Sequence, residues 1–170
     1  AYGTPGALDN AAGVAVLLAV MDRLKNYAGP YDLEFIPFNG EDSPMVKGQV
    51  SYLERFGKEM ADIRLGINVD AVGAKGSKTA VSAYNLGEDR QGWLNAEIAK
   101  YRTVERGPEW VEGDHSVFVF RGVPCLAVTS SNLREDVMSI THTPQDTVAQ
   151  VDRVLLVEAA TFIAELVNGL

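Results

Sequence analysis

Hydrophobic residues recur along the chain in two alternating patterns. Near the front, apolar residues at helical spacing follow Asp9 and Asn10, either of which can cap a helix, and predict a helix that ends near 29–30. Shorter apolar runs that end in polar or turn-forming residues predict buried strands. The predicted strands are 33–38, 65–70, 79–83 and 124–129, and the later predicted helices are 50–56, 91–101, 116–121 and 151–167, the last behind the cap Asp152.

The alternation of strands and helices predicts the fold class. Such an order favours an α/β fold with three layers, in which helices cover both faces of a mostly parallel or mixed central sheet. The chain has 170 residues, of which 46% are hydrophobic, and this is enough for one well-buried core. Because neither a repeat nor a linker interrupts the pattern, we expect a single domain over 1–170.

Composition narrows the range of partners. A net charge of -8 disfavours nucleic acid, since that binding depends on clustered Lys and Arg. The longest apolar run, 14–21, is much shorter than the roughly 20 residues that span a bilayer, so no membrane partner is expected. The front shows neither a charged leader nor an apolar signal core, so a targeting segment is expected to be absent or removed, and localisation stays open. Cys125, in an apolar segment, is predicted to pack in the core.

Several acidic residues follow predicted strands. Glu41 and Asp42 come after the first strand, and Asp70 ends the second. In open α/β sheets functional groups gather beyond the carboxyl ends of strands. If Asp9 and His142 joined them, four carboxylates and an imidazole would be costly to bury without a cation. Zinc accepts these ligand types, and paired zinc ions commonly share a bridging carboxylate, a role open to Asp9.

Each of these residues also has an ordinary structural interpretation. Asp9 before an apolar periodic run is a good helix N-cap. Glu41 and Asp42 are compatible with a solvated acidic turn, and Asp70 with a strand end that bonds its own backbone. His142 is compatible with an exposed loop. However, both histidines of the chain lie in polar segments, which favours a site.

Five segments, in this order, resemble the motifs of the zinc aminopeptidase family, which includes bacterial leucine aminopeptidases, glutamate carboxypeptidases and glutaminyl cyclases. They are PGALDN at 5–10 with Gly13 following, FNGED at 38–42, INVDAVG at 67–73, GDHSVF at 113–118 with GVP at 122–124, and HTPQDT at 142–147. The resemblance spans almost the whole chain.

The resemblance implies a zinc-dependent aminopeptidase that removes N-terminal residues from peptide substrates. In that family two zinc ions activate a shared water. Glu41 corresponds to the general base and Asp9 to the carboxylate that bridges the metals. Asp42 and His142 correspond to the other ligands of one zinc, and Asp70 to a ligand of the second.

Other matched positions have supporting roles by the same resemblance. Asp114 and His115 are expected to lie behind the ligands or to contact substrate. Asp146 is expected to orient an imidazole or to bond the backbone. Thr141 stands where many relatives have a Tyr that donates to the developing oxyanion, and its hydroxyl is shorter.

The chain also departs from the family pattern. The family's first ligand is a His that precedes the PGAxDN motif, and this chain has none there. We therefore expect an N-terminally truncated domain with impaired activity, one zinc or none, and an exposed sheet edge through which a homodimer could form. The alternatives are a glutaminyl cyclase-like acyltransferase and a metal-free, non-catalytic binding domain of the same fold.

Overall fold

A mixed four-stranded sheet forms the centre of the molecule. The computed structural model describes residues 3–42, 45 and 47–170. The sheet order is β1-β4-β2-β3, where β4 runs parallel to β1 and antiparallel to β2, and β3 runs parallel to β2. The strands are β1 Gly66–Val69, β2 Thr79–Tyr84, β3 Val104–Arg106 and β4 Cys125–Ser130. The mixed sheet expected from the sequence is confirmed.

Six α-helices accompany the sheet in the described part of the chain. They are α1 Gly13–Arg23, α2 Lys47–Phe56, α3 Glu88–Ile98, α4 Ser116–Val119, α5 Met138–Ile140 and α6 Arg153–Asn168. π-type turns span Ala7–Ala12 and Leu133–Val137, and 3-10 turns span Met60–Asp62 and Val148–Gln150. Asp152 caps α6 as predicted, because its Oδ1 accepts from the Val154 N–H at 2.9 Å. None of the helices in the described ranges is long and apolar enough to cross a membrane.

The two faces of the sheet carry separate hydrophobic cores. On β4, Leu126 and Val128 point to the face covered by α1, α3 and α6, whereas Cys125 and Ala127 point to the face covered by α2 and α4. This alternation gives the three predicted layers. Cys125 is only 1% exposed, and burial raises the pKa of its thiol to about 12. Its predicted role as a core residue is confirmed.

The strand predicted over 33–38 is absent. This segment has no regular secondary structure and pairs with none of the strands in the described ranges. It lines a groove of about 760 Å³ together with the edge strand β1. An apolar run indicates burial, but a strand also needs a backbone partner to hydrogen-bond with. Here the groove lies between 33–38 and β1, so the two segments do not pair. Within the described ranges, β1 pairs with β4 on one side only. The expected homodimer through this edge stays a prediction.

Smaller differences concern element boundaries. α3 begins at Glu88, three residues before the predicted start, with acidic residues in its first turn that favour a helix N-terminus. It ends at Ile98 rather than 101. The sequence pattern missed β3, which has only three residues and one buried side chain, Val104. A strand this short leaves too little alternation to detect.

Candidate metal centre

The imidazole of His142 lies between two carboxylates that are distant in sequence. Its Nε2 is 2.8 Å from Asp9 Oδ2 and 2.9 Å from Asp42 Oδ1. One donor atom from each residue lies within 4.8 Å of the others, which makes these three a possible metal-binding group. The side chains of His142 and Asp42 are about half exposed, so the centre is open to solvent.

The turn Ala7–Ala12 presents Asp9 to His142. Asp9 and Asn10 have non-helical backbone angles, and the regular helix α1 begins only at Gly13. Asn10 Oδ1 accepts from the Gly13 N–H at 3.0 Å, and Asn10 Nδ2 donates to Val69 O at 2.9 Å. The interpretation of Asp9 as the helix cap is therefore wrong. Asn10, and not Asp9, accepts a backbone N–H at the start of α1, and the Asp9 carboxylate contacts His142 instead.

A glycine is required where α1 meets β1. A Cβ at Gly13 would lie 2.5 Å from Val69 O and would also collide with Asn10 Oδ1. Because the carbonyl belongs to a strand, it has little room to move. We expect Gly13→Ala to lower the free energy of unfolding by about 1–3 kcal/mol, measured by urea denaturation. Gly92→Ala, in the middle of α3 with no atom near its Cβ position, should be neutral or stabilising. Equal losses in both variants would contradict this packing.

Two unusual backbone conformations accompany the polar residues. His142 has φ of 61° and Ala71, directly after Asp70, has φ of 50°. Left-handed angles are uncommon for residues other than glycine and concentrate at functional sites. The chain therefore turns sharply at the candidate ligand His142 and directly after the candidate ligand Asp70.

Two further partly buried carboxylates, Asp70 and Glu41, lie within electrostatic range of the metal-binding group. Burial, and after it the charge of Asp9, raises the pKa of Asp70 from 3.8 to about 7. Burial, and after it the charge of Asp42, raises the pKa of Glu41 to about 6. The pKa of Asp9 is raised by burial and then by Asp42. These negative groups therefore lie within electrostatic range of one another, as the sequence interpretation requires.

This repulsion predicts how the metal-free protein responds to pH. Asp70 binds a proton more tightly in the folded state than in the unfolded chain, where its pKa is about 3.9. Its contribution to stability therefore falls as pH rises from about 4 to 7. In chelator-treated protein, Asp70→Asn should raise the melting temperature at pH 8 by about 3 °C or more, roughly 1 kcal/mol, with little effect at pH 4. Asp22→Asn, on the exposed side of α1, controls for loss of a carboxylate. An unchanged profile in Asp70→Asn would contradict the electrostatic argument.

The structure places His115 in a core and not at the metal-binding group. The ring is 2% exposed and packs edge-on against Trp110, with centroids 4.4 Å apart. Nε2 lies 2.9 Å from Trp110 O, which only accepts, so Nε2 carries hydrogen. Burial lowers the pKa of His115, and in the neutral ring Nδ1 then accepts from Asn68 Nδ2 at 3.4 Å. Asn68 precedes Asp70 by two residues, so His115 helps to fix this end of β1.

The remaining predicted residues flank the centre. Asp114 Oδ1 accepts from Gln49 Nε2 at 2.8 Å, and the charge of Asp114 contributes to the raised pKa of Glu41. The Thr141 hydroxyl donates to Met138 O at 3.4 Å, within its own turn. The Asp146 carboxylate accepts from backbone N–H groups at Leu8 and Asp9 and contacts no imidazole among the described residues. Of the two roles expected for Asp146, the backbone role is therefore the one observed.

Sequence reasoning gave no role to Gln49 and Asn68, which help to position the site, and it named Asn10 only as one of two possible helix caps. Asn10 stands inside a quoted motif, and its place before an apolar helix was the signal for a cap. Gln49 and Asn68 act through tertiary hydrogen bonds to Asp114 and His115, and nothing in the local pattern marks them.

The donor set fits zinc. Zinc is bound by imidazole nitrogen and carboxylate oxygen at about 2.0–2.2 Å. The His142 nitrogen and the two oxygens are in direct ion-pair contact at 2.8 and 2.9 Å. A tetrahedral zinc would separate these atoms to about 3.3 Å, which a small shift of the half-exposed His142 and Asp42 side chains allows. Asp70 is outside this group, so the structure brings together three candidate ligands for one ion.

Comparison with known proteins assigns the chain to a family. The model described as peptidase family M28 matches residues 1–167. The chain belongs to peptidase family M28. It is 24% identical over 171 residues to Aminopeptidase YwaD of Bacillus subtilis (strain 168), an alignment that covers 96% of this chain and 37% of that protein.

Solved structures share the fold of this chain. The aminopeptidase from Aneurinibacillus sp. strain AM-1 superposes with a TM-score of 0.81 at 23% identity, covering 98% of this chain and 40% of that one. The peptidase M28 precursor from Shewanella amazonensis SB2B gives a TM-score of 0.72 at 20% identity, covering 96% and 37%. The α/β fold predicted from sequence is confirmed. This chain spans 37% to 40% of the length of these relatives.

Proposed function

We propose that this M28 chain carries the zinc-binding and general-base residues of an aminopeptidase site, which hydrolyses the N-terminal peptide bond of a peptide. Asp9, Asp42 and His142 would hold one zinc ion, and Glu41 would be the base. The observation that carries the proposal is the convergence of these three side chains, with Glu41 within electrostatic range of Asp42 and Asp9. M28 proteins are generally zinc-dependent, and two of the named relatives are aminopeptidases.

The electrostatics of the site support a resident cation. Burial and mutual repulsion raise the pKa values of Asp9, Glu41 and Asp70, which makes the all-ionised state costly without metal. A bound cation would offset this cost. A binding domain without metal has no physical reason to retain such repulsion, so this feature favours the enzymatic proposal over the non-catalytic alternative.

In the proposed reaction, Glu41 moves the proton. When bound, zinc supplies a Lewis acid that acidifies water and polarises the scissile carbonyl. Glu41 takes a proton from the attacking water and delivers it to the leaving amine. In the metal-free protein, burial and neighbouring carboxylates raise the pKa of Glu41 to about 6, so its carboxylate is mostly ionised at pH 7 to 8, as a general base requires. The products are a free amino acid and a peptide shortened by one residue.

We expect a single zinc from these residues. Asp70 is the further carboxylate assigned to a second ion, and together with the bridging Asp9 it offers only two ligands. Structural and catalytic zinc sites usually have at least three protein ligands. Occupancy at a second position should therefore be weak.

Inhibitor binding to the zinc-loaded chain tests the proposal. Leucine hydroxamate carries a zinc-chelating group and a free α-amine, whereas N-acetyl-leucine hydroxamate lacks the amine. Calorimetry with zinc-loaded and chelator-treated protein should show binding only with zinc, and the free amine should bind at least about 10-fold more tightly, roughly 1.4 kcal/mol. Equal affinities for both compounds would contradict recognition of an N-terminus. Failure to load zinc would contradict the metal assignment.

A further inference from the structure

Asp146 is a completely buried carboxylate close to the metal-binding group. It lies four residues after His142 and is 0% exposed. Burying a carboxylate is costly unless hydrogen bonds stabilise it. Its Oδ1 accepts from Leu8 N–H at 2.7 Å and its Oδ2 from Asp9 N–H at 3.1 Å. Its backbone oxygen accepts from Ala7 N–H at 3.2 Å.

These three bonds provide acceptors for backbone N–H groups at the start of the turn Ala7–Ala12. Asp9 has φ of -114° and ψ of 91°, so the backbone here does not follow a helix. N–H groups in such a turn need partners from elsewhere, and Asp146 supplies acceptors for three successive ones. The loop that carries His142 is thereby joined to the turn that carries Asp9.

We propose that Asp146 is a positioning residue whose carboxylate fixes the backbone of Leu8 and Asp9. The Asp9 carboxylate is thereby held against His142 for metal binding, a role that rests on the proposed function. Both carboxylate oxygens are needed, because each accepts from a different N–H group. An Asn at this position keeps one acceptor but turns its NH₂ group toward one of the two backbone donors. The turn must then shift, and Asp9 shifts with it.

Zinc affinity of the Asp146→Asn variant tests this role. Loss of groups that orient metal ligands typically weakens binding about 10- to 100-fold, and we expect a loss in that range. The matched control is Asp152→Asn, which also removes a carboxylate bonded to a backbone N–H, at the cap of α6. The zinc affinity of Asp152→Asn should stay within about 3-fold of that of the unsubstituted chain. This is less than the loss expected when a group that orients a metal ligand is removed. Equal affinity of Asp146→Asn and the unsubstituted chain, or equal losses in both variants, would overturn the proposal.

A second measurement does not depend on the variant folding or on zinc. In metal-free, unsubstituted protein, the amide protons of Leu8 and Asp9 should exchange with deuterium at least about 100-fold more slowly than in an unfolded chain. Fast exchange at both positions would overturn the positioning role. Zinc binding by the unsubstituted chain is measured first, because its failure contradicts the proposed function, whereas the exchange result decides the role of Asp146 separately.

Discussion

Replacement of Glu41 by Gln should reduce peptide hydrolysis by the zinc-loaded protein about 10²- to 10⁴-fold in kcat, the range that general acid–base catalysis typically contributes. Gln is nearly the same shape but cannot accept the proton from water. Glu41 is not one of the three converging ligand candidates, so the zinc content should stay the same. The measurement is steady-state hydrolysis of a leucine anilide, with zinc quantified in the same sample.

Glu34→Gln is a suitable control for this variant. Glu34 lies seven residues before Glu41 and is not part of the metal-binding group, and its carboxylate accepts from the Tyr52 hydroxyl at 3.3 Å. The kcat of Glu34→Gln should stay within about 2-fold of that of the unsubstituted chain, a much smaller change than the loss of a catalytic base produces. Full activity in Glu41→Gln would remove Glu41 from the mechanism, and loss of zinc in that variant would indicate that Glu41 is a ligand instead.

The second large effect is expected for His142→Ala. His142 provides the nitrogen that both carboxylates contact, and its removal leaves two oxygen ligands. Zinc affinity should fall by more than about 100-fold, beyond the usual effect of groups that only orient ligands. Competition with a chromophoric chelator gives the dissociation constant.

Gln145→Ala provides the comparison for His142→Ala. Gln145 is an exposed residue of the same loop and is not part of the metal-binding group. The Gln145→Ala variant should bind zinc with the same affinity as the unsubstituted chain. The side chain of His142 is half exposed, so its removal should cost little stability, and a loss of affinity then reports on ligation. Unchanged affinity in His142→Ala would exclude this residue as a ligand.

Three residues that the sequence singles out come together in the structure, whereas the strand predicted to lead to them does not form. Asp9, Asp42 and His142 belong to motifs with distinctive spacing, and the structure brings them within contact distance. The segment 33–38 has the composition of a buried strand but lines a groove beside the β1 edge. Strand pairing is a non-local property, since it depends on which backbone lies alongside, and an apolar run does not carry that information.

The same limit applies to residues that act at a distance. The role of Asp146 was open between two interpretations, because its partners at Leu8 and Asp9 lie 138 and 137 residues away in the sequence. His115 stands in a polar motif but is buried against Trp110, whose position follows from tertiary packing. Local pattern identified these residues as noteworthy, and only the fold shows what they contact.

The most direct test is an anomalous difference map at the zinc absorption edge from crystals grown with zinc. A single strong peak bonded to His142 Nε2 and to oxygens of Asp9 and Asp42, at distances of about 2.0–2.2 Å, is the predicted result. No peak with zinc in excess, or a peak that these three residues do not contact, would contradict the proposed metal centre and the mechanism that depends on it.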